Sequence, residues 1–359
     1  KPYPLSQKGK IILTQKKEHL LILRFSSLGD VAMTVPVIRC LLKTYPNLLL
    51  TIVSRKTMQP LFNEFKNVNF FPVDFNNRHK GLKGIYQLYR DIQKLSITRV
   101  ADLHSVMRTD LLCFFFKINF FHVRKISKAR FEKYLLTRKK NKKFQPLTPT
   151  IYRYVDVFRR LGFPIDIQKH EFPVKKGIVP KIILKEISKN KNEKLIGIAP
   201  FAAFPGKIYP LDLMQKVIAY LQKDHKIFLF GKGKKENEKF YIWENAYPNV
   251  CSVAELISFD DQINLISNLD LMISMDSANG HLSSNFAIPT ITLWGVTHPF
   301  CGFTPFGQPL ENSIFLDRDK YPEIPTSIYG KKVFKGYKKA LRSIDPKVII
   351  EKAIELLSK

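Results

Sequence analysis

From residue 19 onward the chain alternates short apolar runs with longer stretches in which apolar residues recur every three to four positions. "HLLILRF", "LLLTIVS", "VNFFPVD" and "TRVADL" read as strands, whereas "DVAMTVPVIRCLLKTY" and "MQPLFNEF" carry helical spacing. "LLCFFFKINFFHV" (111–123) reads as a helix end followed by a buried strand. Lys117 and Asn119 interrupt it, and it falls short of the ~20 apolar residues of a spanning helix. Around 165–194 the pattern dissolves into a lysine-rich stretch with two prolines, and a second alternation then begins. Its members are "KLIGIAP", "LMQKVIAYLQKD", "KIFLFG", "QINLISNLD", "LMISMD" and "PTITLWG". The last helix, "DPKVIIEKAIELLS", opens on an Asp cap followed by Pro at the first helical position.

Strand, helix, strand at this rhythm predicts parallel sheets wrapped by helices. A chain of 359 residues suits two domains. The expected architecture is α/β, with two Rossmann-like, doubly wound domains facing a cleft. Residues 1–175 form the first, 176–194 the linker, 195–340 the second, and a C-terminal helix in 341–359 packs back on the first domain.

Charge changes this picture. The formal net charge is +29, yet 45% hydrophobic and 25% charged residues are ordinary globular values, so disorder does not account for it. Residues 1–176 carry 35 Lys and Arg against 11 Asp and Glu, whereas 177–359 carry 24 against 19. The first half is therefore built to face something anionic. Four cysteines without CxxC spacing indicate neither a zinc site nor a disulfide framework and suit a reducing cytoplasm. The amino-terminal "KPYPLSQKGKIILTQKKEHL" is basic, but "IILT" is too short for a signal-peptide core.

The candidate chemistry lies where apolar runs end. "LILRFSSLGD" places the Asp30 carboxylate just past the carboxyl end of a strand, where open α/β sheets bind ligands. In "LMISMDSANGHLSSNF" a strand runs into Asp276, Ser277, Ala278, Asn279 and Gly280, and a helix start there would offer free N–H groups to a phosphate. His281, taken alone, reads as a packed residue. "TITLWGVTHP" supplies a second such loop with Thr297, and "APFAAFPGK" presents Lys207, suited to neutralising a leaving diphosphate. "FLFGKGKKENE" places Glu236 after a glycine-rich turn, in reach of ribose hydroxyls. The third glycine of a dinucleotide fingerprint is missing and no GxxxxGK[ST] occurs, which speaks against nicotinamide chemistry and P-loop hydrolysis.

Three of these features together, "SSLGD", Lys207 after "APFAAFPG", and "MDSANGHLSSNFAIPTITLWGVTHP", resemble family 9 glycosyltransferases, the heptosyltransferases of lipopolysaccharide core assembly. The likeness covers nearly the whole chain, with motifs in matching order. It implies a GT-B fold and an inverting, metal-independent transfer without a cofactor, from a nucleotide sugar, usually ADP-heptose. It makes Asp30 the general base, with Lys207 on the diphosphate. Ser26, Ser27 and Gly29 shape the loop, Glu236 meets the ribose and Ile257 the adenine. Asp276 meets the sugar, and Ser277 with its following amides, and Thr297, the phosphates. The family commonly has Gly where Ala278 stands, which keeps a different donor sugar open.

The implied acceptor is anionic lipid A–Kdo. Its counterpart is the basic run 125–143, nine basic residues against Glu132, with Lys125, Arg130, His104 and Arg108 as acceptor-binding candidates. That run also invites peripheral attachment to the inner face of the inner membrane. Phe131 and Tyr134 interleave with it as in nucleic-acid binders, but no recognisable binding module accompanies them, so nucleic acid is not an expected partner.

Overall fold

The computed structural model describes residues 18–174, 176–187 and 192–359. The basic amino-terminal stretch and part of the expected linker lie outside the described residues. The first sheet is five-stranded and parallel, in the order β3-β2-β1-β4-β5. It comprises β1 (His19–Leu23), β2 (Leu49–Arg55), β3 (Val68–Val73), β4 (Arg99–Asp102) and β5 (His122–Lys125). β1 is buried throughout because helices cover both faces, which is why its sequence is continuously apolar rather than alternating. Its period of two still sorts the faces. Leu20 and Ile22 pack with α2 (Thr34–Thr44) and α6 (Thr150–Arg160), which follow the five-residue α1 (Leu28–Ala32) and α5 (Arg130–Thr137). Leu21 and Leu23 pack with α3 (Gly81–Gln93) and α4 (Met107–Ile118).

After the short α7 (Lys181–Leu184), a six-stranded parallel sheet follows in the order β11-β10-β9-β6-β7-β8. Its strands are β6 (Leu195–Ala199), β7 (Lys226–Leu229), β8 (Val250–Ser252), β9 (Leu271–Met275), β10 (Thr290–Trp294) and β11 (Ser313–Phe315). The intervening helices are α8 (Leu211–Leu221), α9 (Lys234–Ala246), α10 (Phe259–Ile266) and α11 (Ala278–Ser284). Both sheets reverse their winding once, between β1 and β4 and between β6 and β9. Such switch points open a crevice at the carboxyl ends of the strands.

Two expectations need correction. "MQPLFNEF" forms a 3-10 stretch (Lys56–Phe62), because Pro60 cannot donate to an α-helical ladder. The C-terminal helix α12 (Pro346–Leu357) packs on α8, β9 and β10 of the second sheet, not on the first domain. The segment before it already sits there. Leu341 and Ile344 are buried in that core, and the Tyr209 hydroxyl donates to the Ile344 carbonyl at 2.7 Å. The chain is anchored on this face when Asp345 caps the helix, and Ile349 and Ala353 simply continue it.

Candidate active site

β1 leaves the first sheet at its switch point with Arg24, 8% exposed. The guanidinium donates to the Leu103 carbonyl at 2.7 Å and pairs with Asp30 Oδ2 at 2.6 Å. Asp30 is the third residue of α1, so its carboxylate folds back over the helix start. The Ser27 hydroxyl donates to the same Oδ2 at 2.6 Å and the Ser27 N–H at 3.4 Å. Oδ1 has no hydrogen-bond partner among the described residues, and the side chain is 22% exposed. Burial pushes the Asp30 carboxyl up, but the Arg24 charge and the Ser27 hydroxyl outweigh it and hold the group below the usual carboxylate range. At neutral pH it is ionised, with one oxygen free to take a proton.

The opposite wall comes from the second switch point. Lys207 closes a 3-10 turn after β6 and pairs with Asp276, at the end of β9, at 2.9 Å. Ser277 opens α11 with a buried hydroxyl that has no hydrogen-bond partner. On α9, Glu236 Oε2 accepts the Lys232 N–H at 2.7 Å, and burial pushes its carboxyl up. Gly231 makes that possible, since a Cβ there would collide with Glu236 and the Phe240 ring. The two walls touch at Gly29, where an added Cβ would lie 3.0 Å from His281 Cδ2 and 3.3 Å from Ala278 Cα. His281 is buried, which pushes its pKa down and keeps the ring neutral.

Between the walls lies a cleft of about 1050 Å³. The structure brings Ser27, Gly29, Asp30, Lys207, Glu236, Ile257, Asp276, Ser277, Ala278, Asn279 and His281 onto its surface. It does not bring three other expected donor residues there. Ser26 is half-buried and does not line the cleft, and Gly280 packs inward against β9, where a Cβ would meet Ser274 Oγ at 2.9 Å. Thr297 is fully buried behind the wall. Its loop acts indirectly, because the Val296 N–H donates to the Gly206 carbonyl at 2.9 Å and holds the turn that carries Lys207.

The four acceptor candidates do not line this cleft either. Lys125 and Arg130 line a separate recess of about 500 Å³, where Lys125 pairs with Asp110. Arg108 lies over the Phe75 ring at 4.7 Å. His104 packs edge-on against Phe25, and burial pushes its pKa down to about 3.

Sequence reasoning missed Arg24, although a lone arginine inside "HLLILRF" was a signal. It also missed Tyr154, whose hydroxyl donates to the Asp30 carbonyl at 3.2 Å, and Lys133, which donates to the Tyr329 hydroxyl at 3.0 Å. No motif announced these two. Among the described residues no group of three or more His, Cys, Asp or Glu gathers that could hold a metal ion.

A family model described as glycosyltransferase family 9 (heptosyltransferase) matches residues 85–332. The chain belongs to this family. It is therefore a glycosyltransferase. A lipopolysaccharide core heptosyltransferase of Haemophilus influenzae is 22% identical over 80% of this chain and 82% of its own length. A lipooligosaccharide heptosyltransferase 2 of Campylobacter jejuni is 22% identical over 92% and 96%. Among solved structures, the family 9 glycosyltransferase of Veillonella parvula superposes with a TM-score of 0.72 at 19% identity, covering 95% of this chain and 97% of that one. The Escherichia coli ADP-heptose heptosyltransferase II gives 0.66 at 20%, covering 94% and 98%. The family 9 protein thus has the two-domain GT-B fold. No described helix is long and apolar enough to cross a membrane.

Proposed function

We propose that the protein is an inverting, metal-independent transferase that moves heptose from ADP-heptose to a lipopolysaccharide inner-core acceptor such as Kdo-lipid A. The observation that carries the reading is the Asp30 carboxylate. It is ionised, tethered through Oδ2 by Arg24 and Ser27, and open at Oδ1 in a cleft whose far wall carries the Lys207–Asp276 pair. The acceptor hydroxyl attacks the anomeric carbon as its bond to the diphosphate oxygen breaks, and the hydroxyl proton passes to Asp30 Oδ1. The departing diphosphate takes the Lys207 ammonium and the free Ser277 hydroxyl. The ribose hydroxyls meet Glu236, and the base lies by Ile257, beside Phe230 and Ala254.

Ala278 supports a second reading. Its backbone already abuts Gly29, and its Cβ narrows the phosphate approach, which suits another nucleotide sugar. Turnover of ADP-heptose and Kdo-lipid A in EDTA, with wild type and Asp30→Ala, tests both. Wild type is expected to transfer, and the variant to bind donor while losing roughly 10²–10⁴ in kcat. A silent wild type that binds a different nucleotide sugar overturns the heptose assignment, and turnover that EDTA abolishes overturns the metal-independent one.

A further inference from the structure

The helices that cover one side of the first sheet are apolar on both faces. Inward, α3 and α4 bury Ile85, Leu88, Leu112 and Phe116 against β1. Outward, α3 exposes Leu82 at 78% and Tyr86 at 48%, one turn apart, and α4 exposes Met107 at 85%, with Phe114 and Ile118 more than half exposed. Phe120, in the turn after α4, is 98% exposed. The two helices form one surface, because Tyr86 meets the Phe115 ring at 5.3 Å and Phe115 meets Phe114 at 5.9 Å. A folded chain that needed only to stay in water would not gather six large apolar side chains there.

The same helices and their entry turn carry Lys80, Lys83, Arg90, Arg108 and Lys117, all exposed. None of these five has a carboxylate partner within ion-pair distance among the described residues. The acids on the two helices are spoken for, Asp91 by Arg78 and Asp110 by Lys125. Apolar side chains ringed by uncompensated cations match the interfacial zone of an anionic bilayer, where rings and aliphatic groups enter the acyl boundary and cations meet lipid phosphates. The recess lined by Lys125, Lys128 and Arg130 opens at the amino end of α4, beside the exposed Phe131.

We infer that the α3–α4 face is a docking surface for an anionic phospholipid bilayer, which holds this recess at the lipid headgroups. The docking itself does not depend on the heptose reading, only its purpose does, namely presentation of a lipid-linked acceptor. The charged run 125–143 is then the flank of the surface, and the apolar patch its centre.

Flotation of the full chain with vesicles of phosphatidylcholine, alone or with about one third phosphatidylglycerol, tests this. Wild type is expected to float with the mixed vesicles only. The triple variant Leu82→Ser, Phe114→Ser, Phe120→Ser should lose at least about tenfold in partition, because each removes apolar area that would enter the interface. Its melting temperature and donor binding should stay at wild-type values, since all three side chains are exposed. Charge reversal at Lys139 and Lys140 should weaken flotation less. No flotation of wild type, equal flotation on neutral vesicles, or a triple variant that floats normally overturns the inference. So does a triple variant that changes only from dimer to monomer in sedimentation equilibrium, which would make the face a contact between copies. Turnover of a delipidated, water-soluble acceptor by the same variant keeps this test apart from that of the transfer reaction.

Discussion

The two walls of the cleft treat charge differently. On the second sheet two of the cleft's charges are met locally, Lys207 by Asp276 and Glu236 by the Lys232 amide. On the first, Asp30 is met by Arg24, but Lys133 and Arg153 stand close by with no carboxylate in ion-pair distance among the described residues. Arg153 is 7% exposed, and burial together with the Arg153 charge pushes Lys133 down to about 8. The second wall holds a compensated pair that a diphosphate can enter by drawing Lys207 from Asp276. The first keeps Lys133 and Arg153 near Asp30 without an ion-pair partner among the described residues. A pre-paired wall suits a ligand of fixed chemistry, and an unpaired one suits a ligand that brings its own negative charge.

Among variants that leave Asp30 in place, breaking the compensated wall should have the largest effect. Lys207→Ala is expected to lower kcat by roughly 10²–10³, because a preorganised cation at the leaving group is lost and Asp276 is left alone. Steady-state kinetics at saturating donor measure it, and a change confined to acceptor KM would place Lys207 on the wrong wall.

On the uncompensated wall, Lys133→Gln should raise acceptor KM about tenfold with donor affinity unchanged, as expected for one charge-assisted contact. Because Lys133 sits at about 8, the wild-type profile for acceptor should weaken above that pH, and Lys133→Arg should flatten this limb. A pH profile of kcat/KM that stays level to higher pH in wild type would remove Lys133 from the acceptor's surroundings.

Within the first wall, Arg24→Gln separates the two influences on Asp30. Arg24 lowers the Asp30 pKa and burial raises it, so without the guanidinium the acid limb of kcat/KM should move upward. The stability sign follows from the same linkage. A carboxylate depressed in the folded state stabilises above its unfolded value, and that contribution disappears as pH falls through the folded one. The melting temperature of wild type should therefore fall more than that of the variant on acidification.

The smallest effect is expected where the walls touch. Gly29→Ala puts a methyl 3.0 Å from His281 and 3.3 Å from the Ala278 backbone, so the neighbours must give by a few tenths of an ångström. A few-fold loss in kcat and about 1 kcal/mol in stability are expected. An unchanged variant would mean that the walls separate freely at this point.

The chain's pattern was enough to determine both parallel sheets and strand ends that line the cleft. A continuous apolar run that stops at a turn marks a strand buried on both faces, and this holds for β1, β6, β9 and β10 without knowledge of their neighbours. Asp30, Lys207, Glu236 and Asp276 could be picked out because each lies within eight residues of a strand end, that of β1, β6, β7 or β9. The three-residue strands β8 and β11 passed unnoticed, being too short to show a period.

Which groups meet across distance is set by packing in three dimensions. Helical spacing shows that α12 has a face to bury but not against what, and Leu341 and Ile344 fix that partner. Tyr154 reaches Asp30 from 124 residues away and Lys133 reaches Tyr329 from 196, so no local signal records either. Likewise, Arg108, Lys125 and Arg130 carry the right charge in the right half but lie outside the cleft. Composition sets how much charge a domain carries, and packing alone sets where it points.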